Sequence, residues 1–259
     1  MRSTATGYFR PGDDWLHRRN PITKLLALFA VLLAAFALPP IVLAILLLLV
    51  LVAALSCGLL RPMLRSLRIP ALLITSIVVV NALFLPGATS VIAAIGPVRL
   101  TNEGLAFGIV TGARVLVAFC ASILFLVTTL PDDLLEVLVV RGVSHRIAFV
   151  VLSAIQLVPR LQTRAASILD AQQARGLRVQ GTFITRVRAL VPLVGPILLG
   201  SLIDVRERTF ALEARAFGAL PGRTAYRVVP DPPVDRWLRL GTLGAMALVV
   251  AAAILGVGK

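Results

Sequence analysis

Arg175 and Arg215 occupy the same setting forty positions apart, in Asp170-Ala171-Gln172-Gln173-Ala174-Arg175-Gly176 and in Phe210-Ala211-Leu212-Glu213-Ala214-Arg215-Ala216. Each copy follows a helix-like run and reads Ala-x-x-Ala-Arg before a tiny residue. A guanidinium makes planar, forked bonds to a carboxylate, and small neighbours let a partner's backbone or groove come close. The chemistry offered is recognition: a docking knob, written twice. The plainer account of one such copy is a cation at a helix C-terminus, favoured by about 0.3–1 kcal/mol. Two copies, each closing a long amphipathic helix, favour docking.

Little else is suited to reactive chemistry. Paired carboxylates, a Ser/His/Asp set and a metal cluster are all absent at useful spacing, so neither a catalytic residue nor a metal or other cofactor is expected. Gly256-Val257-Gly258-Lys259 lacks the hydroxyl residue and following helix of a phosphate-binding loop. His17 and His145 have no ligand-spaced companions, and Cys57 and Cys120 read as small packed residues. Arg114 is the one ionisable residue near the middle of an apolar run. It is either a functional contact, for a partner or a gate, or an internal cation satisfied by Asn81, Thr111 or helix carbonyls.

The elements that must carry these residues lie in a bilayer. Apolar residues make up 58% of the chain and charged residues only 15%, with a mean hydropathy of +0.95. Five runs, 22–38, 41–60, 71–95, 105–130 and 240–257, approach the roughly 20 residues that cross a ~30 Å hydrocarbon core. Pro39-Pro40 separates the first two as a tight hairpin, while Asn81 and Pro86-Gly87 leave the second half of the third open to a kink or an early end. The predicted class is an all-α polytopic membrane protein with about five transmembrane helices and further cytoplasmic helices. An inside N-terminus puts Arg2, Arg10, Arg18, Arg19, Lys24, Arg61, Arg65, Arg68 and the stretch 131–237 in the cytoplasm, leaving only Arg99 and Lys259 outside. No cleavable signal peptide is expected. The net charge of +14 flanks membrane segments without interleaved aromatics, so it is read as meeting anionic lipid and not nucleic acid.

Three regions follow: transmembrane helices in 1–130, a cytoplasmic or interfacial region in 131–237, and a final transmembrane helix in 238–259. The middle region carries 14 Lys/Arg and 9 Asp/Glu. Pro131-Asp132-Asp133 opens a short helix that Gly142 closes. Two long amphipathic helices follow, from about 147 to Gly176 and from about 189 onward. Gly176 suits a left-handed helix stop and Ala216 does not, which predicts that the second helix continues through Phe217 and stops at Gly218. Their apolar starts, 147–158 and 189–203, are either tilted spans or an interfacial hairpin.

Nearly the whole chain resembles the transmembrane T component of energy-coupling factor (ECF) transporters, a branch of the ABC transporters that imports vitamins and metal ions. Ala174-Arg175-Gly176 and Ala214-Arg215-Ala216 look like the family's two Ala-Arg-Gly motifs, the second in its Ala-ended form. His17-Arg18-Arg19-Asn20-Pro21-Ile22-Thr23-Lys24-Leu25-Leu26 is similar to its opening, with Asn20 where Asp is more usual; 100–105 through Arg114 and 130–134 also match. The resemblance implies a non-catalytic bacterial cytoplasmic-membrane subunit whose two arginines enter grooves of two ATPase subunits. It also implies a separate membrane S component that binds the cargo and contacts the apolar starts, with Val151, Ile155, Leu193 and Ile197 as candidates. Two alternatives stay open. A conventional ABC importer subunit is echoed by Glu213-Ala214, Gly218 and Leu220-Pro221 but leaves Arg175 unexplained. A lipid-phosphate enzyme would need acids or His clustered with both arginines.

Overall fold

The structure is a computed structural model that describes residues 14–86, 90–95, 98–177, 182–217 and 230–255. It divides into two units, Met1–Gly142 with Val229–Lys259, and Val143–Val228. In the first unit, helix α1 (Pro21–Ala37) starts at Asn20, whose side-chain oxygen accepts a hydrogen bond from the Ile22 amide at 3.1 Å, with Pro21 in the first helical position. Leu38 and Pro39 are extended, and α2 (Pro40–Ser56) turns back at once. It ends earlier than the apolar run 41–60 suggests. Gly58 takes a left-handed φ of 64°, and the Leu59 amide closes back on Ala54 O at 2.9 Å, which stops the helix regardless of hydrophobicity. A short α3 (Leu60–Ser66) precedes α4 (Arg68–Phe84), and α3 meets the 70–84 part at a 58° bend.

The third apolar run ends as a helix at Phe84, not near 95. Leu85 turns extended before Pro86, and the β-branched residues beyond make an antiparallel hairpin of β1 (Val91–Ile95) and β2 (Val98–Thr101), with Ile95 opposite Val98. Among the described residues, this hairpin is the one exception to an all-helical fold. Thr101 then caps α5 (Asn102–Thr128) by accepting the Gly104 amide at 3.3 Å. α4 and α5 pack through a glycine stripe at helical spacing. A Cβ on Gly104 would run into Asn81 O, one on Gly108 would fall 2.9 Å from Val78 O, and one on Gly112 would fall 3.2 Å from an Ile74 methyl. Without a hydrophobic drive between helices in lipid, such close backbone approach supplies the association.

Small residues also fill the rest of this core: Ala54, Cys120 and Ala121 surround Met63, and Ala35 meets Leu43 and Val117. Cys57 and Cys120 are free and buried. Helix α6 (Pro131–Val140) stops at Gly142, with φ of 104°, and packs on α1, as does α9 (Pro233–Ile254). One end of the unit is tied by polar bonds. Asp235, fully buried, accepts from the Asn20 amide at 2.8 Å and from Arg19 at 3.3 Å; Lys24 Nζ donates to Thr128 O at 2.8 Å; Trp15 donates to Ser56 Oγ at 3.1 Å. Thus α1 and α9 start, and α2 and α5 finish, at the same end, where Arg18, Arg19, Lys24, Arg236 and Arg239 also stand.

Of the five expected spans, α5 and α9 are long and apolar enough to cross a bilayer by themselves, and α3 with α4 would make a third as one bent span. α1 and α2, at 17 residues each, lie at the short limit of a spanning helix. The second unit consists of α7 (His145–Ala174) and α8 (Phe183–Ala214), so the second long helix begins ahead of the predicted 189.

Candidate functional site

The two Ala-Arg motifs are two copies of one helix terminus. In the first, the Gly176 amide donates to Gln173 O at 2.9 Å and the Leu177 amide to Gln172 O at 3.0 Å, with Gly176 at φ 91°. In the second, the Ala216 amide donates to Glu213 O at 2.9 Å and the Phe217 amide to Leu212 O at 3.0 Å, with Ala216 at φ 55°. Both are paired six-to-one and five-to-two closures around a left-handed residue. In each, the arginine is the last residue before the chain leaves the helix direction, and it is exposed together with its small neighbours. No ion pair engages Arg175 or Arg215 among the described residues.

The expectation that α8 continues through Phe217 is thereby corrected; Gly218 lies outside the described residues. A left-handed alanine costs roughly 1–2 kcal/mol, and packing supplies a compensating term. Phe217, the residue after the turn, lays its ring 5.0 Å from Phe149 and 5.6 Å from His145, both in the first turns of α7. Anchoring Phe217 there requires the chain to turn at Ala216.

Farther along the pair, Arg164 of α7 forms a forked bond to Asp204 of α8, at 2.5 and 3.4 Å. Its guanidinium lies flat against Gly200, where a Cβ would come within 2.8 Å of Arg164 Cζ. The contacts 149 with 217 and 164 with 204 run in opposite senses, so the two helices are antiparallel over this stretch. Arg175 lies eleven residues beyond Arg164, and Arg215 eleven residues beyond Asp204. Eleven residues are about three helical turns, or about 16 Å, so the arginines stand about 30 Å apart on opposite sides of the Arg164–Asp204 brace. The motif was legible in sequence; its near-symmetry about a brace was not.

The apolar starts present exposed stripes: Ile147, Val150, Val151 and Val158 on α7, and Val191, Val194, Leu198, Leu202 and Val205 on α8. Of the four residues predicted there, Val151 is exposed and Ile155 and Ile197 are half-buried. Leu193 is only 5% exposed, a packed position in this structure. Its helical phase sets it off the 191-194-198 face.

In the first unit, Asn81 donates to Ile77 O of its own helix at 2.8 Å, and no hydrogen bond joins it to Arg114. Arg114 Nε and Thr111 Oγ1, one turn apart on α5, are buried without hydrogen-bond partners among the described residues. Of the internal partners that one reading of Arg114 named, Asn81, Thr111 or helix carbonyls, the first two form no bond to it among the described residues. No group of three or more potential metal ligands occurs among the described residues.

Sequence reasoning missed the Gly104, Gly108, Gly112 stripe, although its four-residue spacing in an apolar run is a recognised packing signal. It also missed Asp235 as a buried anchor, for which Pro233-Val234-Asp235 offers only a helix-start signal.

Comparison with known proteins gives the family. The CbiQ family, described as cobalt transport protein, matches residues 12–226. The energy-coupling factor transporter transmembrane protein EcfT of Heliobacterium modesticaldum is 29% identical over 96% of this chain and 97% of its own length. That of Thermanaerovibrio acidaminovorans is 30% identical over 92% of this chain and 91% of its own. A putative ABC transporter ATP-binding protein of Bifidobacterium longum is 26% identical over 95% of this chain, which covers 31% of that longer protein. On the family match over most of its length and on relatives that align end to end, the chain belongs to the CbiQ family, as the transmembrane T component of an energy-coupling factor transporter.

Proposed function

We propose that this subunit docks two ATPase subunits, one through Ala174-Arg175-Gly176 and the other through Ala214-Arg215-Ala216, and transmits their motion to a membrane S component that binds the cargo. The observation that carries this reading is the matched pair of exposed arginine caps about 30 Å apart on either side of the Arg164–Asp204 brace. Two like knobs disposed about a centre suit a partner built from two like subunits. The relative named as an ATP-binding protein, which holds a stretch like this chain within a longer one, supports an association with ATPases.

The chain itself carries out no hydrolysis in this reading. The exposed stripes on α7 and α8, with Val151 among them, meet the S component, and the cargo is a vitamin or metal ion, in keeping with the family's description as cobalt transport. Arg114, half-buried at mid-helix with a buried Nε that has no partner among the described residues, serves as an intramembrane contact for a partner subunit. The subunit lies in the bacterial cytoplasmic membrane. Its N-terminus is cytoplasmic, because the end shared by the starts of α1 and α9 is the basic one.

The test is co-purification of ATPase subunits in mild detergent with the wild type, Arg175→Glu, Arg215→Glu and the double variant. Each single reversal should reduce the ATPase recovered and the double reversal should abolish it, with insertion of the membrane subunit unchanged. Full recovery with the double variant would return both arginines to simple helix-end cations.

A further inference from the structure

Two adjoining cavities open at the basic end of the first unit and share Trp15 and Arg19. One, about 430 Å³, runs between α1, α2, α5 and α9 and is almost wholly apolar; Ala27, Leu28, Val31, Val50 and Leu124 line it. The volume falls within the roughly 300–1,000 Å³ of small-molecule sites. The other, about 450 Å³, is lined by Trp15, Arg18, Arg19 and Pro232. Arg18 is exposed and makes no ion pair among the described residues, whereas Arg19 is held by Asp235 at 3.3 Å. At the junction stands Thr23. It is only 4% exposed, lines the apolar cavity, and among the described residues its Oγ1 has no hydrogen-bond partner; Arg19 Nε is likewise buried and unpartnered there.

Polarity therefore changes in steps along one face of α1. Thr23, Ala27 and Val31 follow at four-residue intervals on α1, with Arg19 two residues ahead of the helix, so cations give way to a buried hydroxyl and then to hydrocarbon over about 12 Å of helix. That length fits within one leaflet of a ~30 Å core. A buried hydroxyl left unpaired costs about 1–3 kcal/mol, which a bound oxygen atom would recover. We infer that this composite cavity binds one anionic phospholipid, its phosphate beside Arg18 and Arg19, a glycerol ester oxygen at Thr23 Oγ1, and an acyl chain in the crevice between α1, α2, α5 and α9. An anionic headgroup is preferred over a zwitterionic one because Arg18 makes no ion pair among the described residues. The inference is independent of where the ATPases dock.

Trp15 supplies the probe. In a Trp237→Phe background it is the only tryptophan, and bromine on a lipid acyl chain quenches it only near contact. The protein is reconstituted in phosphatidylcholine vesicles, into which brominated phosphatidylglycerol or brominated phosphatidylcholine is titrated. Half-quenching should need several-fold less of the anionic lipid. Arg18→Ala should cut that preference about fivefold, from about 1 kcal/mol per surface cation, while Arg65→Ala, the same charge change on exposed α3, should leave it intact. Ala27→Phe, which fills the crevice, should weaken quenching by both lipids. Equal quenching by the two lipids, a preference insensitive to Arg18→Ala, or quenching undiminished by Ala27→Phe would each overturn the site and leave the crevice to a protein helix.

Discussion

The two units solve helix association in different ways. In the first, α4 and α5 meet backbone to backbone through Gly104, Gly108 and Gly112, and the end of the bundle is locked by a fully buried Asp235 that ties α9 to α1. In the second, α7 and α8 are joined by a surface brace, Arg164 to Asp204, and by the Phe217 ring against Phe149 and His145, while much of their apolar surface stays open. Close packing suits a part that must keep its shape in lipid. A lightly braced helix pair with exposed apolar stripes suits a part that exchanges contacts with partners. The contrast shows why glycine means opposite things in the two units: at Gly108 it is required by a neighbour, and at Gly195 nothing lies within reach of a Cβ.

That contrast breaks most readily at the glycines. Gly108→Leu should force α4 and α5 apart, costing about 3 kcal/mol or more, and should be read as loss of monodisperse protein in detergent and a lower melting temperature. Gly195→Ala should instead leave melting unchanged or raise it, by about 0.5–1 kcal/mol. Equal behaviour of the two would remove the distinction between the units. Next in size, Asp235→Ala should cost about 3 kcal/mol, because the Asn20 amide and the Arg19 guanidinium lose their buried acceptor. By contrast Asp204→Ala, which removes an exposed partner, should cost no more than about 1 kcal/mol. Chemical denaturation of the two variants side by side decides this.

The helix stops sharpen the comparison further. Ala216→Gly should stabilise the α8 terminus by about 1 kcal/mol and Gly176→Ala should destabilise that of α7 by a similar amount, both following from positive φ. Hydrogen exchange of the Phe217 and Leu177 amides measures each directly, and unchanged protection would mean that the left-handed residue is not what sets the stop. The smallest effect is electrostatic. Asp231 lies beside Arg239, whose side chain donates two bonds at 2.9 Å and holds the carboxyl below its usual range. A carboxyl depressed in the folded state contributes stability above the unfolded value near 4, and that contribution is lost as pH falls through the lowered value. The melting temperature of wild type should therefore drop more between pH 6 and pH 3 than that of Asp231→Asn.

Much of this was readable along the chain because it rests on local signals. The Ala-x-x-Ala-Arg repeat, the Pro39-Pro40 turn, the Pro131-Asp132-Asp133 start and the Gly142 and Gly176 stops each depend on a few adjacent residues. Misreadings arose where a distant contact outweighed local preference. Ala216 takes a left-handed conformation because Phe217 is held by α7. The early end of the run 71–95 was signalled by Pro86-Gly87, but not that Val91–Ile95 would find a strand partner in Val98–Thr101. The role of Asn20 is explained by its surroundings. It caps α1 through its oxygen, and its amide donates to Asp231 at 3.4 Å, a bond that a carboxylate there would replace with repulsion.

The sequence by itself determined the class of the protein, the places of its apolar helices and the identity of the two arginines. Composition, hydropathy and helix-stop chemistry act over distances shorter than one helix. Only the tertiary structure decided that Asp235 anchors α9 to α1, that three glycines let α4 and α5 touch, and that Arg175 and Arg215 stand on opposite sides of the Arg164–Asp204 brace. Each of these joins residues tens to hundreds of positions apart, and burial or ion pairing between such residues has no signature until the chain has brought them together.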